Sequence, residues 1–259
     1  MDILETIVAN KREEVAYQKE AVPLDVLFRL GSHRFSRQPV SMRQALEESS
    51  SGIIAEFKRR SPSKGWLSPH AKVEEVIPVY ERDGAAACSI LTDSRFFGGT
   101  FGDLQSARSL VQLPLLRKDF IVDDYQIYQS RVLGADTILL IAACLTKERC
   151  KHLARVAHQL DLEVLLEIHE KDELSHYNDD VDMLGVNNRN LGTFHTAIEN
   201  SFRMMQFLQS ELGTGDEVPL FISESGISDL KEMNALRAAG FRGFLIGETM
   251  MKNGKLFNY

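Results

Sequence analysis

Cysteine is scarce in this chain. Three are present, Cys88, Cys144 and Cys150, too few and too unevenly spaced for a disulfide framework, and no C-x-x-C pair occurs. Cys88 and Cys144 fall inside apolar runs, where a free thiol serves as a small core side chain. Positive charge is short as well: 30 Lys and Arg against 37 Asp and Glu leave a formal net charge of −7. A sequence-independent grip on nucleic acid needs a basic face, so no nucleic-acid partner is expected. No apolar run reaches the ~20 residues that span a bilayer, so no membrane partner is expected either. The opening Met1-Asp2-Ile3-Leu4-Glu5 has no basic stretch leading into an apolar one, and the expected location is the cytoplasm. What is there is ordinary for a globular protein. The 259 residues are 44% hydrophobic and 26% charged, which excludes collagen-like, low-complexity and largely disordered chains.

Ile3, Leu4, Ile7, Val8 and Val15 recur at helical spacing among charged neighbours and predict an amphipathic helix. Pro23, Gly31 and Pro39 punctuate the next stretch, leaving room for a short helix between Leu24 and Leu30. Ser41 ahead of Met42-Arg43-Gln44 has the spacing of a capping box. From Gly52 a different rhythm begins. Apolar runs at 53–58, 85–91, 114–116, 137–142, 164–168, 183–186, 219–222 and 243–246 alternate with helical periodicity. The helical stretches are Val73 to Tyr80 and then the neighbourhoods of 103–111, 124–133, 147–159, 170–177, 196–211 and 228–239. The runs are continuous rather than alternating, as in parallel strands covered on both faces. Repeated βα units imply right-handed crossovers.

Eight such units in about 200 residues fit a closed barrel better than an open sheet. An open sheet that binds a dinucleotide carries G-x-G-x-x-G after its first strand, and here Lys58-Arg59-Arg60-Ser61-Pro62-Ser63-Lys64-Gly65 follows instead. The expectation is an α/β protein, a single (β/α)8 TIM barrel over residues 1–259. Residues 1–49 form an N-terminal helical extension covering one end.

Barrels carry their chemistry at the C-terminal ends of the strands. Glu56 and Lys58 close the first run two residues apart, hence on one face. The third ends in Arg117-Lys118-Asp119 and the fifth in Glu167, on the face of Leu165. The sixth ends in Asn187-Asn188-Arg189, the seventh in Glu224-Ser225-Gly226 and the eighth in Gly247-Glu248. One polar strand end means little, because strands meet loops. Long charged side chains at the ends of six strands, all on one rim, point to a site. After the seventh and eighth runs the chain passes directly toward helix starts. Paired loops there commonly present backbone N–H groups to a phosphate, and Gly226 and Gly247 permit close approach.

Other chemistries lack their residues. His169-Glu170-Lys171-Asp172-Glu173 has no second histidine to complete a zinc helix, and His152 and His158 are spaced to face different sides of a helix. No Ser, His and Asp set occupies strand ends. No metal site is expected.

Ile54-Ala55-Glu56-Phe57-Lys58-Arg59-Arg60-Ser61-Pro62-Ser63-Lys64-Gly65 closely resembles the first-strand signature of the indole-3-glycerol phosphate synthase family. Leu116-Arg117-Lys118-Asp119-Phe120, Leu166-Glu167-Ile168-His169, Gly185-Val186-Asn187-Asn188-Arg189 and Glu224-Ser225-Gly226-Ile227 are similar to its later blocks, in order. The resemblance implies a tryptophan-pathway carboxy-lyase. Such an enzyme closes the ring of 1-(2-carboxyphenylamino)-1-deoxyribulose 5-phosphate, losing carbon dioxide and water to give indole-3-glycerol phosphate. It uses a small phosphosugar substrate and no cofactor, as a monomer or weak homodimer.

The resemblance further implies Lys118 as general acid on the ketone oxygen and Glu167 as acid/base partner in dehydration. Glu56 and Lys58 would support proton transfer. Asn187 and Arg189 would hold the carboxylate or hydroxyls, and Phe97 and Phe120 would line the anthranilate pocket. Arg60, Ser225, Gly226, Gly247 and the backbone of Glu248 would meet the phosphate. Asn190 stands where the family usually has Asp, which removes a supporting salt bridge.

The chemistry agrees. A developing alkoxide needs a proton, and an ammonium supplies one. Lys58 and Arg189 should lower the Lys118 pKa toward neutrality while Glu56 and Glu167 pull the other way. Recovered aromaticity drives the decarboxylation, so no electron sink is required. The alternative is another phosphosugar enzyme, either a phosphoribosyl isomerase or a Schiff-base aldolase using Lys118 or Lys58. A catalytically silent phosphate-binding barrel is the third reading.

Overall fold

Each apolar run beyond Gly52 becomes a strand buried on both faces. A computed structural model describes residues 3–190, 192, 195–213, 215 and 218–253. The strands are β1 (Ile53–Phe57), β2 (Ala87–Leu91), β3 (Leu115–Lys118), β4 (Thr137–Ile141), β5 (Glu163–Ile168), β6 (Met183–Asn187), β7 (Leu220–Glu224) and β8 (Gly243–Ile246). All eight pair in parallel, and β1 pairs with both β2 and β8, so the sheet closes into a barrel with no free edge. Ile54, Leu116, Leu139, Leu165, Met183, Ile222 and Leu245 fill its interior. The outward-facing residues pack under the surrounding helices.

The helices are α1 (Ile3–Ala21), α2 (Leu24–Phe35), α3 (Met42–Glu48), α4 (Val73–Arg82), α5 (Ser94–Phe97), α6 (Phe101–Leu110), α7 (Asp124–Leu133), α8 (Lys147–His158), α9 (Glu199–Leu212), α10 (Leu230–Ala239) and α11 (Glu248–Asn253). Polar caps set several of their starts. Thr100 with Asp103 and Asp123 with Gln126 form capping boxes, while Thr146 and Asp229 cap through their side chains. Among the described residues no helix is long and apolar enough to cross a membrane.

The structure departs from expectation in several places. The segment after β5 is a 3₁₀ turn, Lys171–His176, rather than an α-helix. Asn178 stops it by bonding both the His176 carbonyl and the Asp180 N–H. Helix α2 runs past Gly31 to Phe35. Gly31 does not break it but lets it approach α7, since a Cβ there would meet Val132 Cγ2 at 2.4 Å. Ser41 caps α3 through Gln44 N at 3.0 Å, yet the Gln44 side chain runs forward to Glu48, so the box is half made. Glu163 supplies the remainder, accepting from Met42 N at 2.7 Å and Arg43 N at 3.0 Å.

The N-terminal extension touches both ends of the barrel rather than one. Helix α3 plugs the N-terminal end, where Met42 and Leu46 are buried beneath the interior residues. Helix α1 lies over the other end, with Ile3, Leu4 and Ile7 facing the mouth.

Candidate active site

Side chains two residues apart on a strand share a face. Counting on from the interior residues Ile54, Leu116, Leu165 and Ile222 therefore places Glu56, Lys118, Glu167 and Glu224 inside the barrel mouth. Asn187 follows from Met183 by the same rule. At the centre is the Lys118 ammonium, 3.1 Å from Glu167 Oε2 and 2.5 Å from Glu224 Oε2. Asn187 Nδ2 donates to the other Glu167 oxygen at 3.1 Å. Lys58 pairs with Glu56 beside them.

Two glycines make room for these carboxylates. A Cβ on Gly185 would lie 2.2 Å from Glu224 Oε1, and one on Gly247 would lie 2.3 Å from Glu56 Oε1. Gly247, expected to meet a phosphate, also admits Glu56.

Burial alone would push the Lys118 ammonium toward losing its proton, but the Glu224, Glu167 and Glu56 carboxylates outweigh it and hold its pKa above the ordinary value. This corrects the expectation of a lysine tuned toward neutrality. The carboxylates split in the opposite sense. Burial lifts Glu167, yet Lys118, His169 and the Asn187 amide together bring it below the usual carboxylate range. Glu224 is lifted by burial, with Lys118 opposing and the Glu167 and Glu56 charges adding, to about 7. Environments that push neighbouring carboxyls apart suit one to hold a proton and the other to accept one.

Lys118 opens onto a cleft of about 820 Å³. Its apolar side carries Phe97, Phe120, Ile3, Leu4 and Ile7, the two rings 5.9 Å apart between centroids. A second cleft of about 730 Å³ shares Glu56, Lys58, Arg189 and Ser225 with the first. It is bounded by Gly226, Gly247, Glu248 and Lys64. Ser225 (φ 68°) and Gly226 (φ 80°) are both left-handed, a turn that costs Ser225 strain of order 1–3 kcal/mol.

The other candidates are placed as follows. Arg189 reaches Ser63 Oγ at 3.2 Å and Thr196 Oγ1 at 3.3 Å, and its backbone N–H donates to Asn187 Oδ1. Arg60 is not brought to either cleft. It sits in the hairpin formed by Arg60–Ser61 and Gly65–Trp66, donating to the Arg95 carbonyl at 3.0 Å with its guanidinium over the Trp66 ring. The cation of that loop which does line the second cleft is Lys64, 2.6 Å from Glu248 Oε1. Asn190 Oδ1 accepts from Gly192 N at 3.0 Å.

One buried cation ties the roof to the site. Lys11 of α1 is 1% exposed and lies 3.0 Å from Asp93 and 2.9 Å from Asp119. Asp93 caps α5, which bears Phe97, and Asp119 follows Lys118 directly.

A family model described as indole-3-glycerol phosphate synthase matches residues 4–258. The chain belongs to the indole-3-glycerol phosphate synthase family. It is 54% identical to the indole-3-glycerol phosphate synthase of Bacteroides thetaiotaomicron, covering 97% of this chain and 93% of that protein. To that of Burkholderia ambifaria strain MC40-6 it is 41% identical, covering 97% and 94%. Among solved structures, an N-acetylmannosamine-6-phosphate 2-epimerase from Clostridium perfringens shares the fold, with a TM-score of 0.63 at 12% identity over 84% of this chain and 93% of that one.

Within this indole-3-glycerol phosphate synthase fold, sequence reasoning had left Glu224 and Lys64 without roles. Strand parity with Ile222 would have found Glu224. No local signal separates Lys64 from Arg60, since both are loop cations four residues apart.

Proposed function

We propose that this chain closes the ring of 1-(2-carboxyphenylamino)-1-deoxyribulose 5-phosphate to give indole-3-glycerol phosphate, carbon dioxide and water. The observation that carries this is the position of the Lys118 ammonium. It is shared by Glu167 and Glu224, with an aromatic-lined cleft on one side and a polar cleft with Lys64 and Arg189 on the other. Such a site suits a substrate with an aryl group at one end and a phosphate at the other. Phe97 and Phe120 would flank the aryl ring. The Ser225–Gly226 and Gly247–Glu248 backbones, with Lys64 in place of Arg60, would hold the phosphate. Asn187 and Arg189 would hold the carboxylate or hydroxyls, with Glu56 and Lys58 aligning the groups between.

As the aryl carbon bonds to the ketone carbon, Lys118 gives its proton to the oxygen that becomes a hydroxyl. The carboxylate leaves as carbon dioxide, its bonding electrons restoring the aromatic ring. Glu224, poised near pH 7 and 2.5 Å away, reloads the lysine. In dehydration a second proton accompanies the departing hydroxyl as water, and Glu167 removes a proton from the adjacent methylene carbon. Two protons reach oxygen and one leaves carbon, so each turnover draws one proton from solvent, matching the negative charge lost with the carboxylate.

A Schiff-base aldolase needs a neutral lysine, and the three carboxylates around Lys118 disfavour one. The functional unit proposed is the single barrel of residues 1–259, working in the cytoplasm on a small phosphosugar as a monomer or weak homodimer. Incubating the purified protein with the carboxyphenylamino sugar phosphate should produce indole fluorescence, and borohydride should trap no adduct. Absence of the indole signal, or a lysine adduct, would remove the assignment.

A further inference from the structure

His169 lies directly after β5, two residues beyond Glu167, and so far has entered only as one of the charges acting on that carboxyl. Its side chain is nine-tenths buried, and its backbone is pinned on both sides. The His169 N–H donates to Glu173 Oε2, and its carbonyl accepts from Asn200 Nδ2 at 3.3 Å. This fixes the ring between two carboxylates. Nε2 lies 3.5 Å from Glu167 Oε1 and Nδ1 lies 3.7 Å from Glu173 Oε2.

Neither nitrogen has a hydrogen-bond partner among the described residues. A neutral imidazole buried in that way loses water at both nitrogens for nothing in return. An imidazolium instead gains two close opposite charges. The surroundings agree from every side. Beyond Glu167 and Glu173, the Glu224 carboxylate of β7 also favours the charged ring and, against the cost of burial, the three raise its pKa. Cys144 stays a thiol, held up by burial and the same carboxylates. His176 faces the Glu173 and Leu145 carbonyls, and Arg203 of α9 is paired with Glu170.

We propose that His169 is a positioning residue of this site: as an imidazolium backed by Glu173, it holds the Glu167 carboxylate ionised and oriented to take the methylene proton. The proposal deepens the reading of Glu167 as the base and rests on it. A positive charge within 4–6 Å lowers a carboxyl pKa by about 1–3 units. Replacing the ring with a neutral amide therefore raises Glu167's affinity for a proton, and the acid limb of activity moves to higher pH.

The test combines kinetics with a substrate-free readout. In His169→Gln the acid limb of kcat should rise by about one pH unit or more, with KM little changed. Glu173→Gln should move the same limb in the same direction by less. By NMR of the resting enzyme, the His169 ring should titrate above the ordinary ~6.5, and this value should fall in Glu167→Gln and in Glu173→Gln. An unmoved limb in His169→Gln, or a uniform loss at all pH values, overturns the proposal. So does a ring that titrates at or below the ordinary value. Should His169→Gln fail to fold, Glu173→Gln and the NMR titrations decide. Failure of the parent reading would show separately, as wild-type protein that makes no indole product.

Discussion

As the proposed general acid, Lys118 is kept charged by its neighbours until a stronger claim on its proton appears. With Glu167 and Glu224 both in contact, the resting ammonium is stabilised, and a developing alkoxide is the group that outbids them. Lys118→Ala and Glu167→Gln should each leave the far-ultraviolet circular dichroism unchanged while lowering ring closure by about 100-fold or more. Near-normal turnover in either variant would take that residue out of the chemistry. Glu224 predicts a pH effect. Its pKa is raised to about 7, so the carboxyl proposed to reload Lys118 carries its proton below that value and loses it above. Turnover should therefore decline as pH rises through about 7. Glu224→Gln should be slower throughout and lack that limb, as read from indole fluorescence across the pH range. The sequence made the residue types legible but not this balance. The weight of Glu224 on Lys118 depends on a 2.5 Å contact between residues 106 positions apart.

At the scale of elements, the two-residue period of the strands did most of the work. It puts Glu56 with Lys58 and Glu167 with Leu165 on shared faces, and the same count from the interior residues Ile54, Leu116 and Met183 turns Glu56, Lys118 and Asn187 inward. Loops were less legible. Arg60 and Lys64 differ in destination because the hairpin folds Arg60 onto Trp66 and sends Lys64 to Glu248. The segment after β5 carries helical periodicity around Leu174, yet it forms a 3₁₀ turn that Asn178 cuts short.

Two element-scale predictions follow from close packing. Gly247→Ala would drive a methyl into the space of Glu56 Oε1, 2.3 Å away. It should lower kcat by about 100-fold, the cost of roughly 1 Å of misplacement in a catalytic group. Lys11→Met leaves Asp93 buried without its cation, while Asp119 keeps Arg117 at 3.0 Å. Breaking such a pair costs about 3–5 kcal/mol, which should appear as a Tm lower by about 10 °C together with a raised KM as α1 lifts from the aromatic cleft.

Over the whole molecule, the two ends of the barrel divide the labour. The C-terminal rim holds the groups proposed to react; the N-terminal rim holds α3 through Glu163. Glu163→Ala removes the acceptor for two N–H groups at that helix start. It should destabilise by about 1–2 kcal/mol, a few degrees in Tm, with kcat unchanged. A fall in kcat would mean the ends communicate. The barrel itself was legible from eight repeated units. That the first helices serve both ends was not, because docking partners such as Glu163 and Asp119 lie more than a hundred residues downstream and leave no trace in local spacing.

That long reach has a consequence for biosynthesis. The N-terminal helices are translated before the strands on which they dock: Ser41 awaits Glu163, and Lys11 awaits Asp93 and Asp119. Ile3, Leu4, Met42 and Leu46 must therefore stay exposed while the rest of the polypeptide emerges, a window in which contacts between nascent copies compete with correct docking. The helix that roofs the mouth therefore precedes in translation the strands that give it a seat.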